Sequence, residues 1–144
     1  MIDFHTHILP AIDDGSRSVE ESLAIFKQQH QEGVQALVAT PHFYPDDQLD
    51  AFLQRRDLAA QQFEQALQAE GLLDQVKLKK GAEVLLSVDT WKIENLEALC
   101  ITGTKYILLE MPYSKWSDWV YTSVQNIIDN HKLIPVIAHV ERYD

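Results

Sequence analysis

Val34-Gln35-Ala36-Leu37-Val38-Ala39-Thr40-Pro41-His42 is a short, nearly continuous apolar run that stops at a proline. Its length suits a strand buried on both faces rather than a helix, and Pro41 cannot donate to a continuing ladder. On one side, Gly33 closes a segment whose apolar residues Val19, Leu23 and Phe26 recur at helical spacing. On the other, Leu49, Phe52, Phe63, Ala66 and Leu67 mark one face of a long helix over Gln48 to Glu70, with Gly71 just beyond it. A buried strand between two amphipathic helices is the repeating unit of an α/β protein.

The same alternation extends both ways. Met1 to His5 reads as a first strand, followed by a turn with Pro10, Asp13, Asp14 and Gly15. Ser18-Val19-Glu20-Glu21 has the form of a capping box at the start of the first helix. Val76 to Val84 is expected to be a third strand, Asp89 to Leu99 a shorter helix, and Tyr106 to Leu109 a fourth strand. Trp116, Trp119, Val120, Val124, Ile127 and Ile128 are spaced as a further helix, and Ile134 to Ala138 as a fifth strand. The expected class is α/β, with mainly parallel strands and outer helices. In such folds functional groups gather where strands end.

Composition narrows the function. The 144 residues carry 12 basic and 22 acidic side chains, a net charge of −10 that argues against nucleic acid and against an anionic membrane surface. No apolar run approaches the roughly 20 residues that span a bilayer, so no membrane insertion is expected. Cys100 is the only cysteine, which excludes an intramolecular disulfide and fits a cytoplasmic protein.

The chemistry lies in where the histidines and glutamates fall. His5 and His7 end the first strand, His42 follows the second, and Glu83, Glu110 and His139 stand at the ends of the third, fourth and fifth. Residues i and i+2 of an extended chain point the same way, so His5 and His7 can grip one ion together. Imidazole nitrogens with carboxylate oxygens suit zinc, manganese or iron, and Glu83 or Glu110 could bridge two ions. Any one of these residues alone has an ordinary structural explanation; their joint placement at successive strand ends is harder to explain that way. Asp13 and Asp14 could supply a ligand or a general acid, or could simply form a turn. Arg142 could bind phosphate oxygens or make a surface ion pair. His30 and His131 are expected to be structural, Cys100 a packed thiol, and Trp116 and Trp119 helix-face core, with one of them possible at the mouth of the site.

Asp3-Phe4-His5-Thr6-His7-Ile8-Leu9-Pro10 with Ile12-Asp13-Asp14-Gly15, then Ala39-Thr40-Pro41-His42, Gly81-Ala82-Glu83-Val84, Leu108-Leu109-Glu110 and Ala138-His139-Val140-Glu141-Arg142-Tyr143, occur in this order along essentially the whole chain. Together they resemble the bacterial protein-tyrosine phosphatases of the polymerase-and-histidinol-phosphatase (PHP) type, manganese-dependent enzymes of capsular and exopolysaccharide systems. The resemblance implies the N-terminal part of a distorted (β/α) TIM-like PHP barrel, with residues 1–144 a single PHP-type domain short of its C-terminal part. It implies two to three manganese ions, with iron or zinc as substitutes, held by His5, His7, His42, Glu83, Glu110 and His139. Asp14 would be the acidic catalytic residue near the metals and Arg142 the phosphate-binding arginine. The implied reaction is attack of metal-bound hydroxide on the phosphorus of phosphotyrosine, in the tail of a bacterial tyrosine kinase, with no phosphocysteine intermediate.

The sequence departs from the family at Val140, where the family has proline, and at Phe43, where it often has a second histidine. A complete barrel of this type needs about 250 residues, and an open sheet edge after the fifth strand would invite homo-oligomer formation. Two other readings follow: a PHP phosphoesterase acting on a small phosphomonoester such as histidinol phosphate, and a truncated non-catalytic module that binds metal or a partner.

Overall fold

The computed structural model describes residues 1–143, which divide into two compact units. The chain leaves the first unit after Pro41, returns at Gln48, and leaves it again after Lys80.

Unit 1, residues 1–41 and 48–80, holds a sheet of strand order β1-β2-β4, built from β1 (Ile2–Thr6), β2 (Ala36–Ala39) and β4 (Lys77–Lys80). Both pairings are parallel, with Ile2 opposite Ala36 and Ala36 opposite Lys77. Helices α1 (Val19–Gln31) and α2 (Leu49–Ala69) carry the connections. The core lies where their apolar faces meet the sheet, around Phe26, Leu37, Ala39, Ala60, Phe63 and Leu67. Ile8 and Leu9, directly after β1, are fully buried in the same cluster and anchor the loop that leaves the strand.

The start of α1 follows half of the expected capping box. Ser18 Oγ accepts the Glu21 N–H at 3.2 Å, but the Glu21 carboxylate turns to the Arg17 N–H at 2.7 Å. The Arg17 guanidinium explains that choice, since it reaches the same carboxylate (Nη2 to Oε1, 3.2 Å) and adds charge to the hydrogen bond. Gly33, at φ +92°, ends the helix in a backbone conformation that side chains disfavour.

Unit 2, residues 42–47 and 81–143 of the described chain, holds a second parallel sheet of order β3-β5-β6-β7. Its strands are β3 (His42–Phe43), β5 (Glu83–Leu85), β6 (Tyr106–Glu110) and β7 (Ile134–Ile137), with α3 (Asp118–His131) between the last two. Fully or nearly fully buried Phe43, Val84, Leu99, Ile107, Leu109 and Ile127 form its interior.

The α/β class with parallel strands holds throughout, with three corrections of detail. The expected third strand is two strands, β4 and β5, separated at Gly81-Ala82 and paired in different sheets. The expected helix over Asp89 to Leu99 is a pair of short 3-10 turns, Thr90–Lys92 and Leu96–Leu99, because Asn95 between them adopts φ +63° and breaks any continuous helix. Finally, Trp116 lies before α3 rather than on it.

Candidate functional site

In unit 1, His5 and His7 leave β1 with their Nε2 atoms 3.2 Å apart. Two nitrogens bound to one ion at about 2.0–2.1 Å each stand roughly 3 Å apart at ordinary coordination angles, so this pair fits a shared metal. The chain then folds back around His7. Asp13 Oδ2 meets His7 Nδ1 at 2.7 Å, Asp13 Oδ1 accepts the Gly15 N–H at 3.0 Å, and the Ser16 N–H donates to the His7 carbonyl at 3.0 Å. With the Asp13 carboxylate accepting from Nδ1–H, Nε2 is left as the ligating nitrogen. Gly15 is required here, since a Cβ at this position would overlap the His7 carbonyl oxygen and Cβ. Beneath the turn, buried Ser22 donates to the Ile8 carbonyl at 2.6 Å and stands 2.8 Å from Ser16 Oγ, tying the loop to α1. Asp14 is exposed in the same turn.

In unit 2 the strand register does the positioning. His42 is the cross-strand partner of Glu83, which in turn faces Leu108, two residues before Glu110. Residues two apart on a strand share a face, so His42, Glu83 and Glu110 point to one side of the sheet. His42 Nδ1 lies 3.4 Å from Glu83 Oε2 and 3.8 Å from Glu110 Oε2, and His139 Nε2 lies 3.1 Å from Glu83 Oε1. His139 follows β7 by two residues and is turned inward by a left-handed backbone, φ +51°. Glu83 is fully buried, and Glu110 is 6% exposed. A charged carboxylate at such depth is stabilised by a cation beside it. Interleaved imidazoles and carboxylates, each offering an atom within 4.8 Å of the others for His42, Glu83 and Glu110, form a donor set suited to a divalent transition metal.

Beside this cluster, Tyr113, Ser114, Lys115, Trp116, Arg142 and Tyr143 line a cavity of about 440 Å³. Tyr113 joins the two features, as its hydroxyl donates to Glu110 Oε1 at 2.6 Å and lies 3.4 Å from Arg142 Nη1. The hydrogen bond to Glu110 raises the Tyr113 phenol above its ordinary range, so it remains a neutral donor. The Tyr143 hydroxyl accepts the Met111 N–H at 3.0 Å and braces the end of β6. The cavity thus presents two cations, Lys115 and Arg142, among three aromatic rings.

His5 and His7 are brought together in unit 1, while His42, Glu83, Glu110 and His139 are brought together in unit 2 with Arg142 nearby. Asp13, left open between ligand, acid and turn, is the partner of His7. Trp116 lines the cavity. His131 Nε2 meets the Trp91 carbonyl at 2.7 Å, and His30 Nδ1 the Val34 carbonyl at 3.3 Å, both structural contacts. Burial pushes the Cys100 thiol up to about 11, with Glu97 adding to the shift. Tyr113 and Lys115 were not anticipated. Both lie in the irregular segment between β6 and α3, where no periodicity flags a side chain.

The structure is that of an α/β protein with parallel sheets, whose His42, Glu83 and Glu110 form a group that could hold a metal ion. Over residues 1–144 the chain matches the family model described as "Capsular polysaccharide synthesis, CpsB/CapC", and it belongs to that family. It is similar to tyrosine-protein phosphatase CpsB of Streptococcus pneumoniae, with 32% identity covering 100% of this chain and 58% of the relative. Tyrosine-protein phosphatase YwqE of Bacillus subtilis (strain 168) is 31% identical over 99% of this chain and 55% of its own. The fold superposes with a TM-score of 0.82, at 28% identity, on a solved structure described as one of YwqE and CpsB, "unique metal-dependent tyrosine phosphatases", covering 99% of this chain and 57% of that one. The chain therefore spans a little over half the length of the relatives it matches. No helix among the described residues is long and apolar enough to cross a membrane.

Proposed function

We propose that this chain carries metal ligands and a phosphate-binding surface of a protein-tyrosine phosphatase acting in capsular or exopolysaccharide synthesis. The observation that carries this reading is the contact of Tyr113 with both Glu110 of the donor cluster and Arg142 of the cavity. It links a carboxylate–imidazole cluster to cations and rings suited to an aromatic phosphate ester. The names of the relatives support the same chemistry.

In this reading the metal ligands are His5 and His7 of unit 1 and His42, Glu83, Glu110 and His139 of unit 2, with manganese as the expected ion, two to three in all. Bound divalent ions supply Lewis acidity, lower the pKa of water and neutralise phosphate charge. The protein supplies the rest. Arg142 and Lys115 receive the non-bridging phosphate oxygens, Arg142 through its planar fork. Trp116 and Tyr143 offer apolar faces to the substrate ring. Asp14 stands on the exposed turn as the acidic residue that can accept or deliver a proton. Cys100 takes no part, since it is buried and its thiol is held protonated. The proposed protein substrate is the tyrosine-phosphorylated tail of a bacterial kinase, and the proposed location is the cytoplasm.

The test compares hydrolysis of a phosphotyrosine peptide, a phosphoserine peptide and histidinol phosphate by the full-length protein with Mn²⁺ and after chelation. Selective phosphotyrosine hydrolysis, lost on chelation and restored by Mn²⁺, is the expected result. Preference for histidinol phosphate would replace the substrate assignment, and activity surviving chelation would remove the metal from it.

A further inference from the structure

The segment after β6 supplies no metal ligand in the reading above, yet it places a phenol directly on one. Glu110 directs Oε2 toward His42 Nδ1 at 3.8 Å, while its other oxygen, Oε1, accepts the Tyr113 hydroxyl at 2.6 Å. A carboxylate held by one oxygen cannot rotate freely, so the second oxygen keeps its heading. The proton placement is also fixed. A guanidinium only donates, so the 3.4 Å contact from Arg142 Nη1 makes Tyr113 Oη an acceptor there, and its single proton goes to Glu110. We propose that Tyr113 is a positioning residue that fixes the Glu110 carboxylate for metal binding and couples it to Arg142 through one hydroxyl. The inference rests on Glu110 being a metal ligand.

Several features favour this role over a purely structural one. Tyr113 is 64% exposed, so its ring contributes little to the core. Its hydroxyl makes hydrogen bonds to the ligand and to the cavity arginine, and the neighbouring Tyr143 hydroxyl is engaged elsewhere, on the Met111 N–H. Hydrogen-bond partners that orient a ligating group commonly set metal affinity by about 10- to 100-fold.

The experiment titrates Mn²⁺ alone onto this chain and its Tyr113→Phe variant by calorimetry, and records the thermal midpoint of each without metal. Phenylalanine keeps the ring and removes only the hydroxyl. The expected result is Mn²⁺ binding weakened by about 10- to 100-fold, with the metal-free midpoint unchanged. Equal affinities would overturn the proposal while leaving the metal reading intact, and a fall in the metal-free midpoint would overturn it in favour of a structural role. Absence of Mn²⁺ binding by the unaltered chain would overturn the metal reading and this inference together. No substrate is present, so failure of the phosphotyrosine assignment would leave the result unaffected and remain separately visible.

Discussion

Asp13 holds His7 from the side opposite its neighbour: Asp13 Oδ2 lies 2.7 Å from His7 Nδ1, while His7 Nε2 lies 3.2 Å from His5 Nε2. The carboxylate therefore fixes both the ring angle and the tautomer of the histidine proposed as a ligand. Asp13→Asn, which keeps an oxygen for the Gly15 N–H but removes the charge beside His7, should weaken metal binding by about 10- to 100-fold. Titration with Mn²⁺ followed by elemental analysis checks this. Unchanged affinity would mean that the packing of the turn, rather than the carboxylate, orients the ring.

Gly15 gives a sharper test of the same turn. A methyl group there would meet the His7 carbonyl oxygen and Cβ, and the backbone oxygen cannot move aside without breaking its bond from the Ser16 N–H. Gly15→Ala should cost about 1–3 kcal/mol of stability as overpacking and should also lower metal retention, because the displaced residue is His7. Denaturant unfolding and metal content measured on the same preparation separate the two effects. A variant as stable as the parent would show that the turn relaxes at no cost.

Much of the candidate site was legible because strand periodicity dictates it. The i, i+2 spacing of His5 and His7 follows from a two-residue repeat that a sequence displays directly, and Glu110 does end its strand, whereas His42 and Glu83, expected after or near the end of strands, instead open β3 and β5. The register was not legible. That His42 pairs with Glu83 depends on the break at Gly81-Ala82, which moves the chain from one sheet to the other. Nor could spacing show that His139 turns inward, since that depends on a left-handed residue rather than on the strand before it. Tyr113 was missed for a related reason: its contact with Glu110 crosses an irregular loop. The mistaken helix over Asp89 to Leu99 reflects ordinary helix-forming residues overridden by one positive φ at Asn95.

Glu83 should be the most sensitive single position. It is fully buried, with His42 Nδ1 at 3.4 Å from one oxygen and His139 Nε2 at 3.1 Å from the other. Glu83→Gln preserves shape but removes the charge that makes the cluster attractive to a cation. Mn²⁺ affinity should fall by more than about tenfold, with circular dichroism unchanged. Retention of full affinity would mean that Glu83 serves only to satisfy the two histidines.

Cys100 supplies a prediction about pH that is independent of the metal. The residue is 4% exposed, and its thiol is raised from an ordinary value of 9.0 to about 11, first by burial and then by Glu97. The thiolate is the reactive species, so the folded protein should react with iodoacetamide at pH 8 far more slowly than the same protein in denaturant. The shift also sets the direction of the stability change. Between about 9 and 11 the unfolded chain releases this proton while the folded chain keeps it. The unfolded state then binds fewer protons, and stability falls as pH rises through that window. Cys100→Ala should remove this part of the alkaline loss, leaving a shallower fall in the denaturant midpoint above pH 9. Equal slopes in the two proteins would show that the thiol titrates alike in both states, and rapid alkylation of the folded chain at pH 8 would show that its burial is transient.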